Sequence, residues 1–159
     1  MTMALLISSS DVLADTEWKV IGSPGVFRLE FPYSPVCTKS EVKTGAGVPV
    51  PWQICMIEKD GMVLGIQTGV FPPNSDVRPA LEGAVEAAVQ HLKNDKWDRV
   101  ISTPYQGNDA VEAVGVGKDA SKHRMRCVVV GQRVYIMWGF VTPARSAELD
   151  RFINSLHLQ

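Results

Sequence analysis

Three residue sets in this sequence have the types from which chemistry is usually built. They are the cysteines Cys37, Cys55 and Cys127, the histidines His91, His123 and His157, and a run of alternating cations at Lys122, Arg124 and Arg126. The cysteines show no C-x-x-C pair and no histidine at metal-ligand spacing, so no zinc site is expected. An odd count cannot be fully paired within the chain. Cys55 and Cys127 fall in apolar runs, where a buried, inert thiol is the simpler reading, and no disulfide is expected. The histidines are spread over three different segments and none has a partner by spacing, so each reads as structural rather than catalytic.

Gly115-Val116-Gly117-Lys118 evokes a phosphate-binding loop. The preceding glycine of G-x-x-x-x-G-K would fall at Glu112, however, and Asp119 stands where magnesium binding needs Ser or Thr. The segment reads instead as a strand end and turn. No G-x-S-x-G elbow is present. The sequence therefore offers no catalytic constellation, no metal ligands and no cofactor motif, and a non-enzymatic role is expected.

Two constellations could bind rather than react. If Gly131-Gln132 closes a hairpin, Val130 pairs with Arg133 and side chains alternate, so Lys122, Arg124, Arg126 and Arg133 share a side with Tyr135 and Met137. Arg124, Arg126, Arg133 and Tyr135 then form a candidate surface for an acidic partner peptide, an anionic headgroup or a polyanion. The plainer reading is that these arginines lay their stems over core edges and pair with helix acids such as Glu82, Glu86 or Glu148. Trp52, Tyr105 and Trp138, with Trp97, are candidates for lining an aromatic pocket, against the commoner role of large aromatics as packing residues.

The elements that must position these residues are legible from periodicity. The 159 residues suit one domain, and 45% hydrophobic with 21% charged residues is an ordinary globular composition. Sixteen Lys and Arg against seventeen Asp and Glu leave no overall field to draw nucleic acid or an anionic membrane. Residues 1–14 hold a short apolar run, Met3 to Ile7, then Ser8-Ser9-Ser10 and Val12-Leu13-Ala14. They read either as a signal remnant cut before Asp15 or as a loosely docked terminus; the run is shorter than a usual h-region, and no basic residue precedes Lys19. Export to the periplasm or beyond follows from the first reading and a cytoplasmic location from the second. No other stretch approaches the length of a membrane span.

Residues 15–159 read as one domain, ordered as five strands, a helix, four strands and a helix. Phe27, Leu29 and Phe31 alternate with Arg28 and Glu30; Thr38 to Thr44 is a polar strand. Pro49 and Pro51 place the next strand on an edge there or start it at Trp52. Asp60-Gly61 predicts a type I′ hairpin in which Lys59 faces Met62 and Cys55 faces Ile66. The other side of that hairpin, Trp52, Ile54, Met56 and Val63, is too apolar to be left in water, so a helix or a second copy should cover it. A helix is expected over about 77–93, capped by Ser75 or Asp76, with Leu81, Val85, Ala88, Val89 and Leu92 buried. A second is expected over about 144–156, capped by Thr142 and burying Leu149, Phe152, Ile153 and Leu156.

Trp18, Phe27-x-Leu29-x-Phe31-Pro32-x-x-Pro35, the mid-chain helix, Arg126-x-x-x-x-Gly131-x-Arg133-x-Tyr135 and Asp150-Arg151-Phe152-Ile153-x-Ser155-Leu156 together resemble bacterial, exported relatives of the Mog/PsbP-like fold. The resemblance covers nearly all of the chain after Asp15 and implies an α+β fold, an α/β/α-like sandwich with a central, mainly antiparallel sheet and two main helices. It implies a binding or accessory module with a protein or small-ligand partner, as a monomer or homodimer. No residue here matches the ion-binding or Ran-binding sites of known members. A small-ligand carrier or enzyme using the aromatic pocket, and a structural subunit of an oligomer, stand as the alternatives.

Overall fold

The computed structural model describes residues 17–89 and 97–159. The cut expected after Ala14, His91, and the last turn of the helix expected to reach Lys93 lie outside the described residues. The chain folds as α+β. β1 (Lys19–Ser23), β2 (Phe27–Phe31), β3 (Val36–Lys43), β4 (Pro49–Lys59) and β5 (Met62–Val70) precede α1 (Pro79–Val89); β6 (Arg99–Ser102), β7 (Ala110–Val116), β8 (Lys122–Val130) and β9 (Arg133–Val141) precede α2 (Ser146–Asn154) and a two-residue β10 (His157–Leu158). Seven strands form one antiparallel sheet in the order β3-β4-β5-β9-β8-β7-β6, and three form a small second sheet, β1-β2-β10.

Both expected hairpins are present. Lys59 pairs with Met62 across Asp60-Gly61, both of which have positive φ, and Val130 pairs with Arg133 across Gly131-Gln132, where Gly131 has the positive φ that suits a glycine-first turn. β4 starts at Pro49, and its two prolines lie where only β3 flanks it, since pairing with β5 begins at Trp52. A strand edge is where a residue without an N–H costs no ladder bond.

The large sheet buries its two faces differently. Cys55, Ile57, Leu64, Ile66, Met137 and Val141 meet Leu149, Phe152 and Ile153 of α2 and Leu29 and Phe31 of β2 in one core. Val111, Ala113, Met125, Cys127 and Val134 pack with Ala84 of α1 and Trp97 in the other. β10 was not foreseen; its two residues pair with β2 and tie the chain's end to the small sheet. Asp76 accepts from the Arg78 backbone N–H at 3.2 Å, an Asx turn that precedes Pro79, where α1 begins. Thr142 makes no side-chain cap; a 3-10 turn at Pro143–Arg145 leads into α2 instead.

The helix expected over Trp52, Ile54, Met56 and Val63 is not what covers them. α1 packs on β7, β8 and β9. On the β4–β5 side the sheet is covered by its own indoles. Trp138 lies over Gly65 and Trp52 over Gly69, so closely that an added Cβ would sit 2.5 Å and 2.1 Å from the respective rings. Only glycine leaves room for an indole flat on the pleat. No helix among the described residues is long and apolar enough to cross a membrane.

Candidate ligand-binding cleft

The alternating cations of β8 do share a side with Arg133, but two ends of that side have different fates. Arg126 is 5% exposed and lies under α2. Its Nε donates to Glu112 at 2.6 Å and its Nη2 to Asn154 at 3.1 Å, Nη1 donates to the Ile153 carbonyl, and its guanidinium lies 4.1 Å from the Tyr105 ring centroid. The Ile153 carbonyl is one of the acceptors that a helix C-terminus leaves without an intrahelical donor, and a cation there also suits the helix dipole. Arg124 donates to Asp150 at 2.7 Å. The arginines are therefore engaged within the chain, but their partners are Glu112 and Asp150, not the expected Glu82, Glu86 or Glu148; Glu148 pairs with Arg145 at 2.8 Å. Arg126 is removed from any open docking surface by the helix that covers it.

The aromatic candidates are not brought together. Tyr105 stacks on Arg126 and donates to the Leu156 carbonyl at 2.6 Å. Trp138 lies on Gly65, and Trp97 donates to the Val85 carbonyl at 3.3 Å beneath α1. Trp52 donates to Gln67 at 3.1 Å and reaches the edge of the cleft described next.

At the opposite end from α2, the small sheet stands off the large one and leaves a cleft of about 430 Å³ between them, of the size that small ligands occupy. Its floor is a row of directly opposed side chains on successive strands: Lys39 of β3 faces Gln53 of β4, Gln53 faces Thr68 of β5, and Thr68 faces Tyr135 of β9. At the usual strand spacing such a row spans on the order of 14 Å. Arg133, opposite Val70, stands one position further along the same face. Phe27 of β2 packs edge-on to Tyr135 with ring centroids 5.3 Å apart, and Ser23, Pro51 and Trp52 complete the walls. Every polar side chain in this lining can donate a hydrogen bond, two carry positive charge, and none is a carboxylate. Burial pushes the Tyr135 phenol above its ordinary pKa, and the charge of Arg133 opposes the shift. The Tyr135 hydroxyl makes no hydrogen bond to another of the described residues.

Sequence reasoning missed three features. Gln53 facing Thr68 follows from the Asp60-Gly61 hairpin, but that Tyr135 continues the row depends on β5 lying beside β9, which no local pattern encodes. The second is a bonded cluster in the β7–β8 turn: Ser121 donates to Asp119 at 2.6 Å and lies 2.6 Å from His123 Nε2, with Ser121 and His123 both buried. The hydroxyl thus stands between the Asp119 carboxylate, to which it donates, and the His123 ring. The cluster folds over Gly117, where an added Cβ would lie 2.5 Å from Ser121 Oγ.

The third is a disulfide. Cys37 and Cys55 are paired, with Cα atoms 4.0 Å apart, because β3 and β4 place them directly opposite each other. The expectation of an unpaired Cys55 is thereby corrected; eighteen residues separate the two in sequence, and only the β3–β4 register brings them together. Cys127 is the free, buried cysteine, and burial pushes its thiol up to about 12.

No protein-family model matches the chain, and no curated protein is significantly similar to it in sequence. Among solved structures it is similar to cyanobacterial PsbP (CyanoP) from Synechocystis sp. PCC 6803, with a TM-score of 0.57 and 9% identity over 96% of this chain and 99% of that one. The chain has a PsbP-like fold. PA94, a protein of unknown function from Pseudomonas aeruginosa, aligns over 89% of this chain and 97% of its own, with 13% identity and a TM-score of 0.42. At these identities the likeness concerns the PsbP-like fold and no residue of the cleft.

Proposed function

We propose that this chain is a non-catalytic binding module whose cleft between the two sheets receives an anionic group on a small molecule or a short acidic segment. The observation that carries this reading is the cleft's lining: Arg133 and Lys39 at its ends, hydroxyl and amide donors between them, and no carboxylate. An anion entering there gains charge-assisted hydrogen bonds without facing a like charge, while Phe27 and Trp52 offer apolar surface to the rest of the ligand. The PsbP-like fold is compatible with an accessory role, which is a weaker support because folds host many functions. The Cys37–Cys55 bridge is compatible with work in an oxidising compartment, which the resemblance to exported bacterial relatives also implies.

Trp52 at the cleft wall supplies the readout. Titration with phosphorylated, sulfated and dicarboxylate small molecules and with acidic peptides is expected to give saturable quenching for at least one class. The affinity should weaken as salt rises, and Arg133→Glu should abolish it. Unchanged affinity in Arg133→Glu, or no anion bound by protein purified from its native host, overturns the reading.

A further inference from the structure

β3 is an edge strand of the large sheet, and every one of its eight residues is exposed. Long exposed edges invite pairing with another chain. Two details make this edge suited to one occupant. Its outward sequence alternates charge as Lys39, Glu41, Lys43, and its other face carries Val36, 71% exposed, and Val42, 39% exposed, which a solvated edge does not require.

The backbone phase of the edge follows from the disulfide position. Directly opposed residues of an antiparallel pair lie about 5.5 Å apart where they exchange hydrogen bonds and about 4.5 Å apart where they do not. Cys37 and Cys55, at 4.0 Å, belong to the second kind. The N–H and C=O groups of Cys37, Lys39, Glu41 and Lys43 therefore point away from β4, toward the open edge. We propose that β3 pairs antiparallel with β3 of a second copy about a twofold axis at Ser40, joining the two large sheets into one.

In that register Lys39 faces Glu41 of the second copy and Glu41 faces its Lys39, on residues whose backbone groups are free to exchange both bonds. On the other face Thr38 meets Val42 and Ser40 meets Ser40. Moving the axis by one residue sets Lys39 against Lys39 or Glu41 against Glu41, so the charge pattern selects the register. Moving it two residues to Thr38 leaves no complementary pair. Moving it to Val42 keeps two, Glu41 against Lys43 and the reverse, but cuts the overlap of the two strands to three residues, so length decides between that register and the one at Ser40. The other edge of the sheet, β6, carries Arg99, Val100, Ile101 and Ser102 and has no complementary charge. The disulfide holds β3 on β4 and so keeps the edge formed before pairing. The pairing does not rest on the anion-binding reading, although the two share Lys39; Arg133 stays open to a ligand in the dimer.

Sedimentation of the full chain over a concentration series tests it, with mass as the readout. The wild type is expected to be dimeric at micromolar concentrations. By symmetry each single charge reversal creates two like-charged pairs, so Lys39→Glu and Glu41→Lys should each weaken the dimer by at least about tenfold. The double variant K39E/E41K should restore it. Ser40→Cys adds a register-specific check, because opposed residues at a non-hydrogen-bonded position lie close enough for a disulfide. Oxidised S40C is expected to run as a covalent dimer, and V42C is not. A wild type that stays monomeric at 100 µM or so, a dimer indifferent to both single reversals, a double variant that remains dissociated, or cross-linking through V42C in place of S40C overturns the proposal. Anion titration of Glu41→Lys, which leaves the cleft lining unchanged, reports on the cleft separately.

Discussion

The two ends of one sheet face make the most instructive comparison in this molecule. Arg126 and Arg133 point to the same side of one hairpin. Over Arg126 the chain lays α2, whose C-terminal carbonyl and Asn154 take the guanidinium's remaining donors while Glu112 neutralises it. Beside Arg133 the small sheet stands away, and no acid lines the space. The same residue type on the same sheet face is thus a structural rivet at one end and an open donor at the other. What separates them is the element overhead. The sheet is also fastened differently toward its two edges: a buried ion network under a helix ties β8 to β7, and a disulfide ties the edge strand β3 to β4.

The comparison breaks most sharply at Arg126. Replacing it with methionine keeps most of the volume but leaves the half-buried Glu112 with Arg124 3.9 Å away as its remaining cation, and strips the Ile153 carbonyl of a donor. Removing one partner of a buried pair typically costs about 3–5 kcal/mol. Urea unfolding of Arg126→Met should show a loss of that order, and Glu112→Gln in the same background should recover part of it, because the stranded charge is then gone. A loss below about 1 kcal/mol means the network is not what fastens α2.

The β3 edge is expected to yield next when its covalent clip is opened. Crosslinking across eighteen residues removes about 3 kcal/mol of chain entropy from the unfolded state in the loop-closure account. Reduction, or the double change C37S/C55S, should lower stability by that amount. The loss should be local as well, since β3 has no buried side chain of its own to hold it on the sheet. Amide exchange in β3 should accelerate well before that of β8 and β9. Uniform exchange across all strands would mean that the edge does not depend on the bridge.

Much of this contrast was legible in the sequence, and the part that was not has a physical reason. Alternation and turn chemistry act between neighbours along the chain, so Asp60-Gly61 and Gly131-Gln132 fixed two registers and, with them, which side each arginine takes. Which element lies above a given side is decided by packing between segments far apart in sequence. Glu112, the true partner of Arg126, sits on β7 in the neighbouring hairpin, and nothing local distinguishes it from Glu82 or Glu86. The disulfide was lost for the same reason: β3 reads as a polar, solvated strand, and its register with β4 runs through a loop whose Thr44, Gly45 and Gly47 carry no two-residue turn signal. The cleft needed one more non-local fact, that β5 neighbours β9.

At Arg133 the smallest change in stability is expected. The side chain is exposed and forms no ion pair among the described residues, so Arg133→Ala should shift the unfolding free energy at neutral pH by less than about 0.5 kcal/mol. Its influence should instead appear in the titration of Tyr135. Burial raises that phenol above its ordinary value, and Arg133, by favouring the phenolate, holds the shift back. Taking the cation away should therefore move the phenol higher still, seen as a later rise in phenolate absorbance on alkaline titration, with Tyr135→Phe identifying the signal. The folded state favours the protonated phenol, so its contribution is fully present below pH 10 and is lost as pH climbs through the raised value. In Arg133→Ala that loss should extend to higher pH, its onset near pH 10 being unchanged. A phenol that titrates lower, or not at all differently, would mean that Arg133 does not face the cleft with Tyr135, and the contrast with Arg126 would collapse to two arginines that merely differ in exposure.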